Sequence, residues 1–469
     1  MKKPSNPENK PVTRSMRKGA KEILRLAQKA FDYRRDLLPD EDVEKFEKRL
    51  VGLDKAIREK TVTTAELEEK ATDLDEILDK CGGDYYHKKS WVENIEMLLV
   101  AAIVVIGIRS FFIQPFIIPT NSMYPTYNGM QPNLYEEDDE LPGIGGRILD
   151  KLTLGASHHR LEAQSNGELV LVLQDNGSFR FSTENFPNGK FFVFPSPIRE
   201  YVFEIGGKKH VLNVPSEFDL DTILAQKFAG IDDLRGLPQI IPQPPGLYNS
   251  GRLRLSENSF KAGDVVLAFD ILLGDALFVD RMSYNFIRPS SGDPAVFKTK
   301  GIDEVNRQLD IPTRSSIGED KYYIKRLVGE PGDEMEIRVP DTIFTNGTDL
   351  RGGTPGILYR NGKPIEGVDA FKMNRERVEN LAQKPQAENT TKYPGYRADG
   401  LLSNKSPLRV PKKTDRSTNP TGQNFYLAMG DNSPNSLDGR MWGFVPEQQI
   451  VGRALFVYYP FTNHWGLSK

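Results

Sequence analysis

The run from Met97 to Ile108, Met-Leu-Leu-Val-Ala-Ala-Ile-Val-Val-Ile-Gly-Ile, holds no charged or hydrogen-bonding side chain, and nothing else in this chain limits its folding so strongly. A segment apolar all round has to be shielded from water on every side, by protein or by lipid. Val92 and Ile95 extend it upstream and Phe111, Phe112 and Ile113 downstream, which gives roughly the 20 residues that a helix needs to cross a bilayer. Glu93, Glu96 and Arg109 lie toward the two ends, where side chains reach the interface. One transmembrane helix over residues 91–113 is therefore expected, with a buried core helix as the alternative. Some 90 mostly polar residues precede the run, and this excludes a cleavable signal peptide. Lys88 and Lys89 stand directly before it, and from its end to Tyr135 the only Lys or Arg is Arg109. The positive-inside rule then puts residues 1–90 in the cytoplasm and the long C-terminal part outside.

The rest of the 469 residues reads as water-soluble. The 62 basic and 65 acidic side chains leave a net charge of −3, which gives no electrostatic reason to expect a nucleic-acid partner. Cys81 is the only cysteine, so an internal disulfide is excluded and a thiolate zinc site is not expected. The histidines are His87, His158, His159, His210 and His464. None sits in a zinc-protease pattern or beside a Gly-x-Ser-x-Gly elbow, and the adjacent His158 and His159 point in different directions.

Residues 1–90 read as a cytoplasmic region, helical and partly disordered, with the disorder in basic residues 1–20. Val43, Phe46, Leu50, Leu53 and Ile57 recur at helical spacing, as do Leu67, Ala71, Leu74 and Leu78 after Thr63-Thr64-Ala65-Glu66, which has capping-box spacing. A small bundle or short coiled coil follows, either structural or a docking module. Beyond the span the pattern is strands and turns. Leu169 to Leu173 and Ser178 to Phe181 flank Asn176-Gly177, Asn188-Gly189 precedes Lys190 to Phe194, and Gly206-Gly207 joins Tyr201–Ile205 to Lys208–Val211. Each is a hairpin signal, because Gly and Asn accept the positive φ of tight primed turns. Residues 128–273 thus read as an inserted, mainly β module with one helix near Asp221 to Phe228, expected to be dispensable for bond cleavage. Segments 114–127, 274–339 and 424–469 form the body, and 340–423 a loop-heavy cap.

Two segments of the body carry chemistry. Ser122 lies between Pro119 and Pro125, which restrict the backbone around its hydroxyl. Lys325 lies in the strand pattern Tyr323-Ile324-Lys325-Arg326-Leu327-Val328, where an ammonium is costly. A desolvated lysine loses its proton near neutral pH and can act as general base toward a serine. The pair suggests a serine protease that needs no histidine.

The stretch from Arg109 through Pro119 to Ser122-Met123-Tyr124-Pro125-Thr126, the stretch Tyr323 to Gly329 with Pro331-Gly332-Asp333, and Gly430-Asp431-Asn432-Ser433-Pro434-Asn435-Ser436-Leu437-Asp438-Gly439-Arg440 through Pro446 together resemble three boxes of the bacterial type I signal peptidases, Ser-Lys dyad proteases of the membrane. The resemblance implies a mainly β fold: an antiparallel β catalytic domain with a β-rich insertion, preceded by an α-helical N-terminal region and one transmembrane helix. It implies Ser122 as nucleophile, Lys325 as general base, an oxyanion hole of the Ser122 N–H and the Thr120 hydroxyl, Ser436 as the residue orienting the lysine, and Asp438 with Arg440 as a supporting pair. Phe116, Ile117, Ile118 and Pro119 would line the substrate groove and touch the membrane. Of two Gly-Asp candidates for a further box, Gly263-Asp264 and Gly292-Asp293, the second is preferred. Ser433-Pro434 and Gly439 depart from the family pattern.

Implied function is removal of signal peptides from exported preproteins after Ala-x-Ala-type sites, without cofactor, at the bacterial cytoplasmic (inner) membrane, single-pass, with the catalytic domain on the outer or periplasmic face. Partners would be preprotein signal peptides and membrane lipids; self-association or docking through residues 1–90 stays open. The rivals are a self-cleaving Ser-Lys protease, for which Ala229-Gly230 and Ala262-Gly263 offer dipeptides, and a catalytically inactive membrane scaffold.

Overall fold

A computed structural model of the chain describes residues 12–468, other than 60, 84–85, 87–89, 137–138, 140, 174–179, 185–195, 232, 248–249, 319, 342–353, 384–394 and 404–406. It divides into two compact units, Met1–Gly107 and Ile108–Lys469.

The first unit is helical. Helix α1 (Arg14–Arg34) opens on Thr13, whose hydroxyl accepts from the Met16 N–H. Helix α2 (Asp40–Arg58) follows, and α3 (Thr64–Cys81) begins with the capping box of Thr63 and Glu66. The three helices pack pairwise around Ala27, Phe31, Phe46, Leu53, Leu74 and Leu78. Residues 14–20, expected to be disordered, are the first two turns of α1, with Ala20 buried. Met16, Ala20, Ile23, Ala27 and Phe31 continue the helical stripe upstream through basic sequence, so charge masked the period. Helix α4 (Ser90–Phe111) carries the chain into the second unit. Its window Asn94–Phe111 is long and apolar enough to cross a membrane and buries no side chain.

In chain order the second unit contains β1 (Ile113–Ile117), β2 (Gln131–Leu134), α5 (Ile144–Leu154), β3 (Ser157–Glu162), β4 (Gly167–Val172), β5 (Arg180–Glu184), β6 (Ser196–Ile205), β7 (Lys208–Pro215), α6 (Leu220–Ala229), β8 (Arg252–Phe260), β9 (Val265–Leu272), β10 (Ala276–Asp280), β11 (Pro294–Lys298), β12 (Tyr322–Gly329), β13 (Glu334–Arg338), β14 (Pro355–Arg360), β15 (Lys363–Pro364), β16 (Tyr396–Arg397), β17 (Leu408–Arg409), β18 (Phe425–Met429), β19 (Val445–Pro446), β20 (Ile450–Tyr459) and β21 (Gly466–Leu467). The fold is mainly antiparallel β. Its principal sheet has the order β1-β10-β20-β11-β12-β18-β19. In a flat sheet the four steps from β1 to β12 would span about 19 Å. Yet the rings of Phe116 on β1 and Tyr322 on β12 lie 5.1 Å apart, so the sheet curls until its edge faces its middle. Register shifts on β10, β11 and β12 add the local twist that such a bend needs.

Two further sheets, β2-β9-β3 and β5-β6-β4-β8 with β7 on β6, form the region 131–272. The Gly206-Gly207 turn is as expected: Ile205 pairs with Lys208, and φ is +54° and +81° at the two glycines. Among the described residues the expected pairing of Leu169–Leu173 with Ser178–Phe181 is not found: Arg180 and Phe181 pair with Glu200 and Arg199 of β6. Ten-residue β6 is long enough to hold β5 along its first half and β4 along its second, which satisfies both strands without joining them. The Asn176-Gly177 and Asn188-Gly189 turns and Lys190 to Phe194 lie outside the described residues. Helix α6 lies where a helix was expected. In the cap, expected to be loop-heavy, Asp369–Gln383 is a helix that buries Ala370, Phe371, Asn374 and Val378. One of its core positions is an asparagine, which breaks the apolar period in the sequence.

Candidate active site

Strand β1 delivers the serine segment. The Ile118 N–H donates to the Asp275 carbonyl, and the Met130 N–H to that of Pro119. Between them Asn121–Met123 makes one 3₁₀ turn, pinned by buried Met123 and Tyr127. The Asn121 side-chain oxygen accepts from the Gly129 N–H at 2.9 Å and from Gln131 Nε2 at 2.5 Å. Asn432 clamps the opposite side: its N–H donates to the Ser122 carbonyl at 3.1 Å, and its side-chain amide to that of Asn121 at 2.9 Å. Backbone and side chains thus fix the turn before any substrate arrives.

Lys325, on β12 opposite Ala295 of β11, crosses the curl of the sheet. Its Nζ lies 2.5 Å from Ser122 Oγ, and only 4% of the residue is exposed. Burial lowers its pKa from 10.5 to about 8; the Asp438 and Asp431 carboxylates pull it back up, and the Arg440 guanidinium pushes it down. An amine that is partly neutral at physiological pH can accept a proton from a hydroxyl beside it. The Thr120 hydroxyl lies 3.4 Å from Ser122 Oγ, on the accessible side of the turn.

The final motif closes the site from behind. Asp438 and Arg440 pair at 2.8 Å, both fully buried. Arg440 also donates to the carbonyls of Ser433, Ser436 and Arg397, and Asp438 accepts from the Gly430 N–H at 3.0 Å. Burial alone would raise the Asp438 carboxyl, but Arg440 and that N–H hold it below the usual carboxylate range. Gly430 has no room for a side chain: a methyl there would come within 2.2 Å of Ser436 Oγ and 2.4 Å of the Ser122 carbonyl oxygen. Ser436 is buried beside it, but its hydroxyl makes no hydrogen bond to Lys325 or to any other described residue.

The groove residues divide. Phe116 and Pro119 are half-buried and Ile117 is exposed, whereas Ile118 is 3% exposed and packs with Met123, Tyr127, Leu277 and Val296. Ile118 is therefore a core residue, because its side chain, like that of Phe116 two positions before it, points into the curl, while that of Ile117 points out.

Sequence reasoning missed the buried pair beside the dyad. Arg326 and Asp431, at 1% and 0% side-chain exposure, meet through Nε at 2.8 Å and Nη2 at 2.7 Å. Thr126 donates to Asp431 at 2.6 Å, and Arg326 Nη1 donates to the Gly292 carbonyl at 2.6 Å, which draws the serine, lysine and Gly292-Asp293 segments onto one ion pair. The available signal was strand alternation: Arg326 follows Lys325 and so points to the opposite face. Gly263-Asp264 lies instead beside β9.

The region 128–273 is not separable at residues 130 and 260. Gln131 and Met130 hold the serine turn, and Leu161, Val266, Leu267, Phe269 and Ile271 of β3 and β9 share one core with Leu169, Phe203 and Leu255. Replacing residues 130–260 by a Gly/Ser linker is therefore expected to lower kcat/KM on a short peptide by more than about 100-fold, the effect of small misplacement at a preorganised site. An assay with the deletion variant retaining wild-type turnover would show that these contacts do not matter.

The family model for signal peptidase, peptidase S26, matches residues 268–459, which include Lys325 and the final motif. The chain is 30% identical over 193 residues to the probable signal peptidase I-1 of Synechocystis sp., covering 41% of this chain and 66% of that protein. It is 29% identical over 201 residues to signal peptidase I of Aquifex aeolicus, covering 40% and 70%. A crystal structure of a signal peptidase I from Enterococcus faecalis aligns with 36% of this chain and 97% of its own at 20% identity and a TM-score of 0.20; that likeness is too loose to build on. The chain spans about two thirds of the length of the curated relatives it matches. On the family model and these relatives, residues 268–459 of the chain are of the signal peptidase, peptidase S26, type.

Proposed function

We propose that this chain is a membrane-tethered serine endopeptidase that removes signal peptides from exported preproteins, with Ser122 as nucleophile and neutral Lys325 as general base. The observation that carries this reading is the 2.5 Å approach of Lys325 Nζ to Ser122 Oγ in a buried setting. The amine takes the hydroxyl proton as Oγ attacks the scissile carbonyl carbon, the Ser122 N–H and Thr120 hydroxyl hold the oxyanion, and the ammonium then protonates the leaving amine. Water, deprotonated by the same lysine, hydrolyses the acyl ester. The buried Ser436 hydroxyl has no hydrogen-bond partner among the described residues and is assigned to the amine as its partner during the reaction; Asp438 and Arg440 brace the loop that presents it.

Substrate is an extended segment ending in Ala-x-Ala. Among the described residues β1 is paired only with β10, and β18 pairs β12 only from Arg326 onward, so the first half of β12 also leaves an edge to which a strand could add. Phe116, Ile117 and Pro119 flank that edge. Helix α4 supplies the single span, with residues 1–90 in the cytoplasm, the catalytic unit on the outer face, and α1–α3 available for docking or self-association.

Incubating the detergent-solubilised full chain with a preprotein, beside a Ser122→Ala variant, tests the reading. Cleavage in trans after Ala-x-Ala by the wild type alone is expected. Cleavage only of the chain itself would favour self-processing, and none at all an inactive scaffold.

A further inference from the structure

We infer that α5, in the region outside the family match, lies flat in the boundary between headgroups and acyl chains of a lipid bilayer and gives the catalytic unit a membrane contact of its own. This rests on the reading of α4 as a membrane span. Ile144, Ile148, Leu149 and Leu152 are 82%, 56%, 60% and 67% exposed. They form one stripe about 140° wide, at roughly 100° per residue. Arg147 and Asp150 occupy the other side, and Lys151 borders the stripe beside Ile144. No residue of α5 is buried, whereas α1, α2, α3, α6 and the helix Asp369–Gln383 all bury several. Among the described residues α5 shares this with the apolar span of α4.

The helix is nonetheless firmly held. The carbonyls of Lys151, Thr153 and Leu154 accept from Tyr459 Oη, the Phe461 N–H and the Leu273 N–H, so its last turn is fastened to the strands while its apolar face is left outside. Phe461, 63% exposed, stands beside that turn. Gly145 and Gly146 in the first turn and the absence of a side-chain cap make α5 a poor helix on propensity alone. What stabilises an 11-residue helix of this kind is burial of its stripe, and this protein buries none of it. The occupant is lipid because the chain already carries a bilayer span, and β1, one residue past its end, joins through β10 to β20, the strand that holds α5. The acidic run Glu136 to Glu140 just upstream favours the acyl boundary over an anionic headgroup as the attraction.

The test uses the full chain with Cys81→Ala and one added cysteine, Leu149→Cys, Arg147→Cys or Val104→Cys, spin-labelled and reconstituted in phosphatidylcholine vesicles after peptide cleavage has confirmed a folded protein. The label at 149 should lie roughly 5–10 Å below the headgroups, the depth of an interfacial helix, with the label at 147 in water and that at 104 near the bilayer centre. A water-accessible label at 149, or dipolar broadening between labels at 149 that marks contact with a second copy, overturns the proposal. The label at 104 is read separately: if it is in water, the span reading of α4 fails, whatever the depth at 149.

Discussion

Lys325→Arg is expected to leave no turnover above the Ser122→Ala background. A guanidinium keeps the positive charge but does not deprotonate in proteins, so the arginine cannot accept the Ser122 proton; Lys325→His should fail as well, because the shorter ring leaves its nitrogens away from Oγ. The wild-type pH profile provides the companion measurement. Burial disfavours the ammonium and lowers the pKa to about 8, so the neutral, working form gains as pH rises. At pH 7 about one molecule in 11 carries the neutral amine, against about one in 3,000 at the unshifted value. Accordingly kcat/KM on a short Ala-x-Ala peptide should climb about tenfold per pH unit below 8 and level off above it. A profile flat from pH 6 to 10, or an Arg variant near wild type, would remove Lys325 as the base.

Asp431→Ala should be the most damaging change outside the dyad. It leaves the Arg326 guanidinium buried without its counter-charge, a loss of about 3–5 kcal/mol for a broken buried pair, which is a large part of the roughly 5–15 kcal/mol that holds a domain folded. Thr126 loses its acceptor in the same step. Thermal unfolding of the catalytic unit, followed beside the double variant Arg326→Met/Asp431→Leu, separates charge burial from shape: the double variant should recover much of the lost stability, and one as unstable as the single would refute this account. The gentler Asp431→Asn carries a further sign. The Asp431 carboxylate favours the Lys325 ammonium, so its loss should move the midpoint of the pH profile to lower pH.

What could be read along the chain was local. The apolar run at Met97–Ile108, the Thr63–Glu66 capping box and the Gly206-Gly207 turn each depend on neighbours a few residues apart, and each is found. Ser122 and Lys325 were legible because their immediate surroundings, a Pro-bracketed turn and an apolar strand, already mark an unusual serine and a costly lysine. Pairings that depend on distant partners were not legible. Asp431 lies 105 positions from Arg326, and nothing near either residue names the other. Strand β5 sits on β6 because β6 is long enough to hold it, which the tempting Asn-Gly between β4 and β5 could not reveal. Ile118 reads like its exposed neighbour Ile117 until the curl of the sheet assigns it a side. The sequence by itself determined the residue types of the candidate site, their order along the chain and the apolar helix before them. Only the tertiary structure decided that two side chains 203 positions apart stand 2.5 Å from each other, because that distance depends on how far a many-stranded sheet bends, a property set by bulges and core packing summed over strands rather than by any one segment.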